Sequence, residues 1–228
     1  MKNSILFFCF LFGAICFAQD ITNTLPSGGK FIVKDVSNDY LTLSQSTGLL
    51  TLFRSLRLEN TTNSNTGIIY KGAERFIHNY GSGNTFIGEL AGNLTMTGNY
   101  NTANGYSVLS SNTTGNYNTA SGMFALSSNT TGSSNTAYGD YALDENTTGN
   151  YNTANGVSAL SLNVSGDFNT ANGFEALTKN TTGYSNIANG YRALYSNTTG
   201  NGNTVNGWEA AFLNTTGNGN TANGYRSL

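Results

Sequence analysis

The residue types that could do chemistry in this chain are few and scattered. His78 is the only histidine, beside Glu74 and Arg75, and without a repeated acidic, Ser or Cys partner it builds no triad. Asp140, Asp144, Glu145 and Asp167 could offer oxygen ligands to a hard cation. They fall at different phases of the sequence, however, and lack the G-G-x-G-x-D phrase of calcium-binding rolls. Asn-x-Thr phrases such as residues 112–114 match the acceptor for N-glycosylation, but they recur so regularly that a structural need is the simpler reading. Aromatic residues complete the inventory, at Tyr106, Phe174, Tyr191, Trp208 and Tyr225 and again at Tyr100, Tyr117, Tyr151 and Phe168. Exposed rings of this kind can stack on glycans or pack against a partner chain. The sequence offers no catalytic residue, no metal site and no cofactor site, and predicts a protein that is not an enzyme.

These residues sit in a repeat. Starting at Asn84 the chain restarts every 17 residues with the phrase N-T-A-N-G-x-x-A-L-x-x-N-T-T-G-x-x, nine copies running without a slip from Asn84 to a ninth copy that begins at Asn220. A fixed period in this range is the signature of a solenoid. The expected fold is all-β, a parallel β-solenoid or β-roll of nine 17-residue coils. Numbering the columns of the phrase from one to seventeen, Ala in column three and the Ala-Leu pair in columns eight and nine are the interior. Residues 101–105 and their equivalents predict a parallel strand, and the Ala-Leu segment a second strand or a single helical turn.

Gly fills column five (Gly105, Gly122, Gly139, Gly156, Gly173, Gly190 and Gly207 among them) and column fifteen, marking corners that need positive φ or close approach. Strands stacked about 4.8 Å apart would let the column-one side chains of Asn101, Asn118, Asn135, Asn152, Asn169, Asn186 and Asn203 hydrogen-bond as an amide ladder, with a second ladder in column twelve.

Outside the array the chain reads differently. Lys2, an apolar run over residues 5–17 and Ala18 before Gln19 predict a secretory signal over 1–18, too short at roughly 13 residues for a span of about 20. Cleavage would remove Cys9 and Cys16, the only cysteines, and leave no disulfide. The mature chain is then secreted or held at the cell surface, with no membrane insertion of its own. Residues 19–83 predict short strands at 30–35, 40–44, 49–53 and 56–59, then a pair at 67–70 and 75–77. This region is too small for a large core and suited to cap the open edge of the solenoid over 84–228. Charged residues make up 10% of the chain and the net charge is -2, so nothing draws it to nucleic acid or an anionic membrane. Aromatics at 12% argue against disorder.

The phrases Asn118-Thr119-Ala120, Gly122, Ala125-Leu126 and Asn129-Thr130-Thr131-Gly132 resemble the head repeats of trimeric autotransporter adhesins, the YadA-like β-roll, and bacterial tail-fibre-like repeat proteins. Gly67-Ile68-Ile69-Tyr70-Lys71-Gly72 followed by Arg75-Phe76-Ile77-His78-Asn79 is similar to the segment that precedes such repeats. The resemblance implies a left-handed roll, a homotrimer, and an adhesive fibre segment with a glycan, matrix or host-surface ligand. In that setting the column-six aromatics would lie between chains. Relatives end in an endosialidase-type chaperone domain or a membrane anchor. Leu228 stops the ninth copy part-way, so a longer parent fibre is expected. The regular Thr of columns two, thirteen and fourteen suggests a second class, an ice-binding or glycan-binding solenoid.

Overall fold

A computed structural model describes residues 30–34, 39–44, 50–52 and 67–228 of the chain. The expected leader, both cysteines and the strand expected over 56–59 lie outside the described residues.

Two units are present, one ending at Arg57 and one beginning at Leu58. In the first, β1 (Lys30–Lys34), β2 (Asp39–Ser44) and β3 (Leu50–Leu52) form an antiparallel meander in the order β1-β2-β3, with Phe31 opposite Leu43 and Leu41 opposite Leu52.

The second unit is a parallel β-solenoid. Its sheet opens on an antiparallel pair, β4 (Ile69–Lys71) and β5 (Glu74–His78), and β5 then pairs antiparallel with β6 (Thr85–Ile87). From β6 onward every strand is parallel and comes from columns two to four. These are β7 (Thr102–Asn104), β8 (Thr119–Ser121), β9 (Thr136–Tyr138), β10 (Thr153–Asn155), β11 (Thr170–Asn172), β12 (Ile187–Asn189), β13 (Thr204–Asn206) and β14 (Thr221–Asn223). Each residue pairs with the one 17 positions on, as Ala137 does with Ala154 and Ala154 with Ala171. The nine strands enclose eight complete coils. The hairpin of β4 and β5 occupies the edge that β6 would otherwise leave unpaired.

The interior is narrow. Within each strand the middle residue is buried and its neighbours point out, as alternation requires. Ala137, Ala154 and Ala171 therefore meet the Ala-Leu pairs 142–143, 159–160 and 176–177, all 0% exposed, in one continuous core. The Ala-Leu segment is neither strand nor helix. It is a run of turns in which columns seven and nine adopt left-handed backbone, for example Tyr141 (φ 59°) and Leu143 (φ 52°). The alternation turns successive amides to opposite neighbours. Tyr141 N–H donates to Met123 in the preceding coil (2.9 Å), and Leu143 N–H to Ala159 in the following one (3.0 Å). Local bonds close the turns, Ala142 N–H to Gly139 O and Asn146 N–H to Leu143 O. Left-handed φ costs an L-residue about 1–2 kcal/mol. The inter-coil bonds, repeated in every coil, offset that cost.

The two glycine columns have different causes. Gly139 has φ +124°, and a Cβ there would lie 2.6 Å from the Gly156 carbonyl carbon. Gly149 needs no unusual φ, but a Cβ would collide with Asn146 Oδ1 and with Gly166 O.

Candidate functional site

Both asparagine columns point into the coil. Asn152, 0% exposed, donates its backbone N–H to Asn135 Oδ1 (2.9 Å) and its amide Nδ2 to Gly166 O (2.8 Å) and Asn135 Oδ1 (3.2 Å). Its own Oδ1 accepts from Asn169 N (3.0 Å) and Asn169 Nδ2 (3.2 Å). The pattern repeats from Asn101 to Asn203, as at Asn118, whose N–H donates to Asn101 Oδ1, and Asn186, whose N–H donates to Asn169 Oδ1. In column twelve, Asn163 Nδ2 donates to Asn146 Oδ1 (2.8 Å) and to Gly166 O (3.0 Å). From Gly115 to Gly217 each column-fifteen carbonyl thus receives two side-chain amides, one from column one and one from column twelve, whereas Gly98 O, with Thr95 in column twelve, receives that of Asn84. Among the described residues no buried side-chain polar atom lacks a partner.

This geometry closes off six of the column-twelve sequons in the folded state, while Asn93 and Asn214, which also begin sequons, are half-buried. Asn112, Asn129, Asn146, Asn163, Asn180 and Asn197 are 0% exposed, so their amides are out of reach of a glycosyl donor.

His78 is a structural plug at the start of the solenoid. It is buried, its ring 4.8 Å from that of Phe86, with Nε2–H donating to Ala91 O (2.8 Å) and Nδ1 accepting from Tyr80 N–H (3.4 Å). Burial lowers its pKa below 6.5, the Ala91 bond opposes this, and the Arg75 charge adds to the lowering. The neutral ring fits both hydrogen bonds. Three of the four acidic candidates, all but Glu145, accept hydrogen bonds. Asp140 accepts from Met123 N–H (2.8 Å), Asp144 from Ser127 Oγ (2.5 Å) and Asp167 from Asn150 N–H (2.6 Å). Among the described residues no three His, Cys, Asp or Glu side chains converge as a metal site, and no helix is long and apolar enough to cross a membrane.

The outward surface carries the unusual chemistry. Tyr106, Phe174, Trp208 and Tyr225 are exposed, at 42%, 43%, 50% and 68%, and Tyr191 is half-buried. Three of these rings stack in succession. Phe174 and Tyr191 lie 5.5 Å apart at 8°, Tyr191 and Trp208 4.0 Å apart at 19°. Column seventeen does the same, with Tyr100 on Tyr117 (5.2 Å, 6°) and Tyr151 on Phe168 (5.0 Å, 1°). Each stacked ring thus has at least one face covered by its neighbour, and Tyr191 has one ring on each side. Where column six holds Met123 and Asp140, the aromatic line crosses to column seven, Tyr106 meeting Phe124 edge-on (5.4 Å) and Phe124 stacking on Tyr141 (5.4 Å). Sequence reasoning missed this crossing, although Phe124 and Tyr141 stand beside the gap. It also missed a pair in column ten, Tyr195 on Phe212 (5.1 Å), flanked by Lys179 over Tyr195. Arg192 bonds Glu175 (2.5 Å) and lies 5.2 Å over Tyr191, and Arg226 pairs with Glu209 (2.6 Å), tying neighbouring coils along column seven.

Fold and surface define a β-solenoid repeat protein with 17-residue coils and internal asparagine ladders. No family model, no curated protein and no solved structure matches the chain.

Proposed function

We propose that the chain is a secreted or cell-surface structural and adhesive solenoid segment, non-catalytic, that works as a homo-oligomer, with a trimer the arrangement the YadA-like phrases suggest. The observation that carries this reading is the set of exposed aromatic ladders. Rings recurring at the coil spacing in short runs, such as Phe174-Tyr191-Trp208 and Tyr100-Tyr117, give a partner several similar weak contacts, and such contacts sum to avidity without any one strong site. Exposed apolar surface of this kind marks an interaction surface. Ring faces already stacked on each other favour packing against a second chain or a protein surface over stacking on a sugar.

Sedimentation equilibrium and a binding screen test it. A trimeric mass, with binding to matrix protein or cell surface above a scrambled-repeat control, is the expected result. A monomer that binds none of these refutes it.

A further inference from the structure

Columns two and four are the outward residues of the parallel sheet. Column two is Thr in eight of nine copies, Ile187 being the exception, and column four is Asn at 104, 155, 172, 189, 206 and 223, with Ile87, Ser121 and Tyr138 between them. No charged residue occurs in either rank. Parallel pairing without a register shift fixes neighbours along each rank at roughly 4.8 Å, and the two ranks at roughly 6.6 Å from each other.

The two kinds of threonine differ in what they do. In column thirteen the hydroxyl is a structural donor, Thr130 Oγ1 to Thr147 O (2.9 Å) and Thr181 Oγ1 to Thr198 O (3.0 Å). In column two, among the described residues, no Thr hydroxyl takes part in a hydrogen bond within the chain. A strand's preference for β-branched residues explains Thr, Val or Ile equally, so the hydroxyl needs another reason. From Asn172 onward the Asn rank is braced, Asn172 Nδ2 to Asn189 Oδ1, Asn189 to Asn206 and Asn206 to Asn223, each 2.8 Å. β-Branched Thr is also restricted at χ1. The face is thus a rigid, uncharged grid of hydroxyl, methyl and amide groups.

A flexible ligand gains little from such a grid, because it must itself be ordered on binding. A ligand that is already a lattice is matched again at each of the five coils that keep both residues, Thr102/Asn104, Thr153/Asn155, Thr170/Asn172, Thr204/Asn206 and Thr221/Asn223. The spacing along the ranks is close to the oxygen repeat in the basal plane of ice, whose surface donates and accepts everywhere. We propose that the outward face of β6 to β14 binds ice, the Thr rank fixing the first ordered waters and the Asn rank extending them.

The test is ice-crystal habit and thermal hysteresis of the full-length chain. Thr102→Lys and Thr153→Lys put a long charged chain onto the exposed face, and Thr148→Lys and Thr182→Lys put the same chain at exposed column-fourteen positions. Circular dichroism melts establish that all four fold. The wild type is expected to facet growing ice and to show hysteresis, the face pair to lose both with the melt unchanged, and the column-fourteen pair to retain both. Rounded, freely growing crystals with the wild type overturn the proposal. So do equal effects of the two pairs, or binding to a crystalline polysaccharide with no effect on ice.

Discussion

Replacing Asn152 by Asp exchanges one NH2 for one oxygen at the middle of the inner ladder, with almost no change of shape. The oxygen that accepts from Asn169 N and Nδ2 is kept. The other now faces two acceptors, Gly166 O and Asn135 Oδ1, where Nδ2 had donated at 2.8 and 3.2 Å. Those acceptors stay satisfied by Asn163 Nδ2 and by the residue's own N–H, so the damage is confined to the new carboxyl. Ionised, it is a buried charge without a cation, which costs about 3–5 kcal/mol. Protonated, its O–H donates to Gly166 O and the cost falls to about 1 kcal/mol.

The folded-state pKa of this Asp therefore rises above its unfolded value of about 3.9, by roughly 2–3 units at about 1.4 kcal/mol each. The folded chain then binds more protons than the unfolded one in that window. Stability relative to wild type is thus nearly intact near pH 4 and falls by about 3–4 kcal/mol as pH rises through the folded pKa toward 7. Denaturant melts of N152D and wild type at pH 4, 5.5 and 7 read this out, with Asn155→Asp on the exposed rank as a control expected to be flat. A pH-independent loss in N152D, or no loss at pH 7, refutes the ladder geometry.

Other outcomes follow from single contacts. Gly139→Ala is expected to cost more than about 4 kcal/mol because its Cβ meets the Gly156 backbone, whereas Gly219→Ala (φ +66°), with nothing within 4 Å, costs only about 1–2 kcal/mol in backbone strain; thermal melts compare them. Ser185→Gly relieves a left-handed backbone (φ 55°) for about 1 kcal/mol, less about 0.5 kcal/mol of chain entropy, so a small rise in Tm is expected, and a fall would contradict the assignment. His78 has a folded pKa below its unfolded 6.5, so the unfolded chain binds more protons and wild-type stability drops as pH falls from 7 toward 5. His78→Phe is expected to flatten that slope, measured by melts across the same range.

Much of this architecture is legible in the residues themselves. The restart at each column-one Asn gives the coil length, Ala103, Ala154 and Leu160 read as interior and are, and Asn at a 17-residue spacing is what an amide ladder needs. The second wall is not legible. Leu143 and Tyr141 have no intrinsic preference for left-handed backbone, and only stacking on identical coils holds them there. The one hint is Gly92, standing in column nine where other copies have Leu or Ala. Aromatic columns are visible in sequence, but ring faces turned on each other are a product of the coil spacing. Asn112 matches the acceptor phrase, yet its regular recurrence reads as structural, and the coil closes over it.

The most direct test of the solenoid is deletion of one whole coil. Removing residues 135–151 joins Ser134 to Asn152, so each strand, ladder and glycine column meets its next copy in register. A protein that keeps its β circular dichroism and its cooperative melt, shortened by about 4.8 Å in small-angle scattering, is the expected result. Removing residues 135–143, about half a coil, is expected to destroy the fold. If the whole-coil deletion unfolds as the half-coil deletion does, the 17-residue coil is not the structural unit.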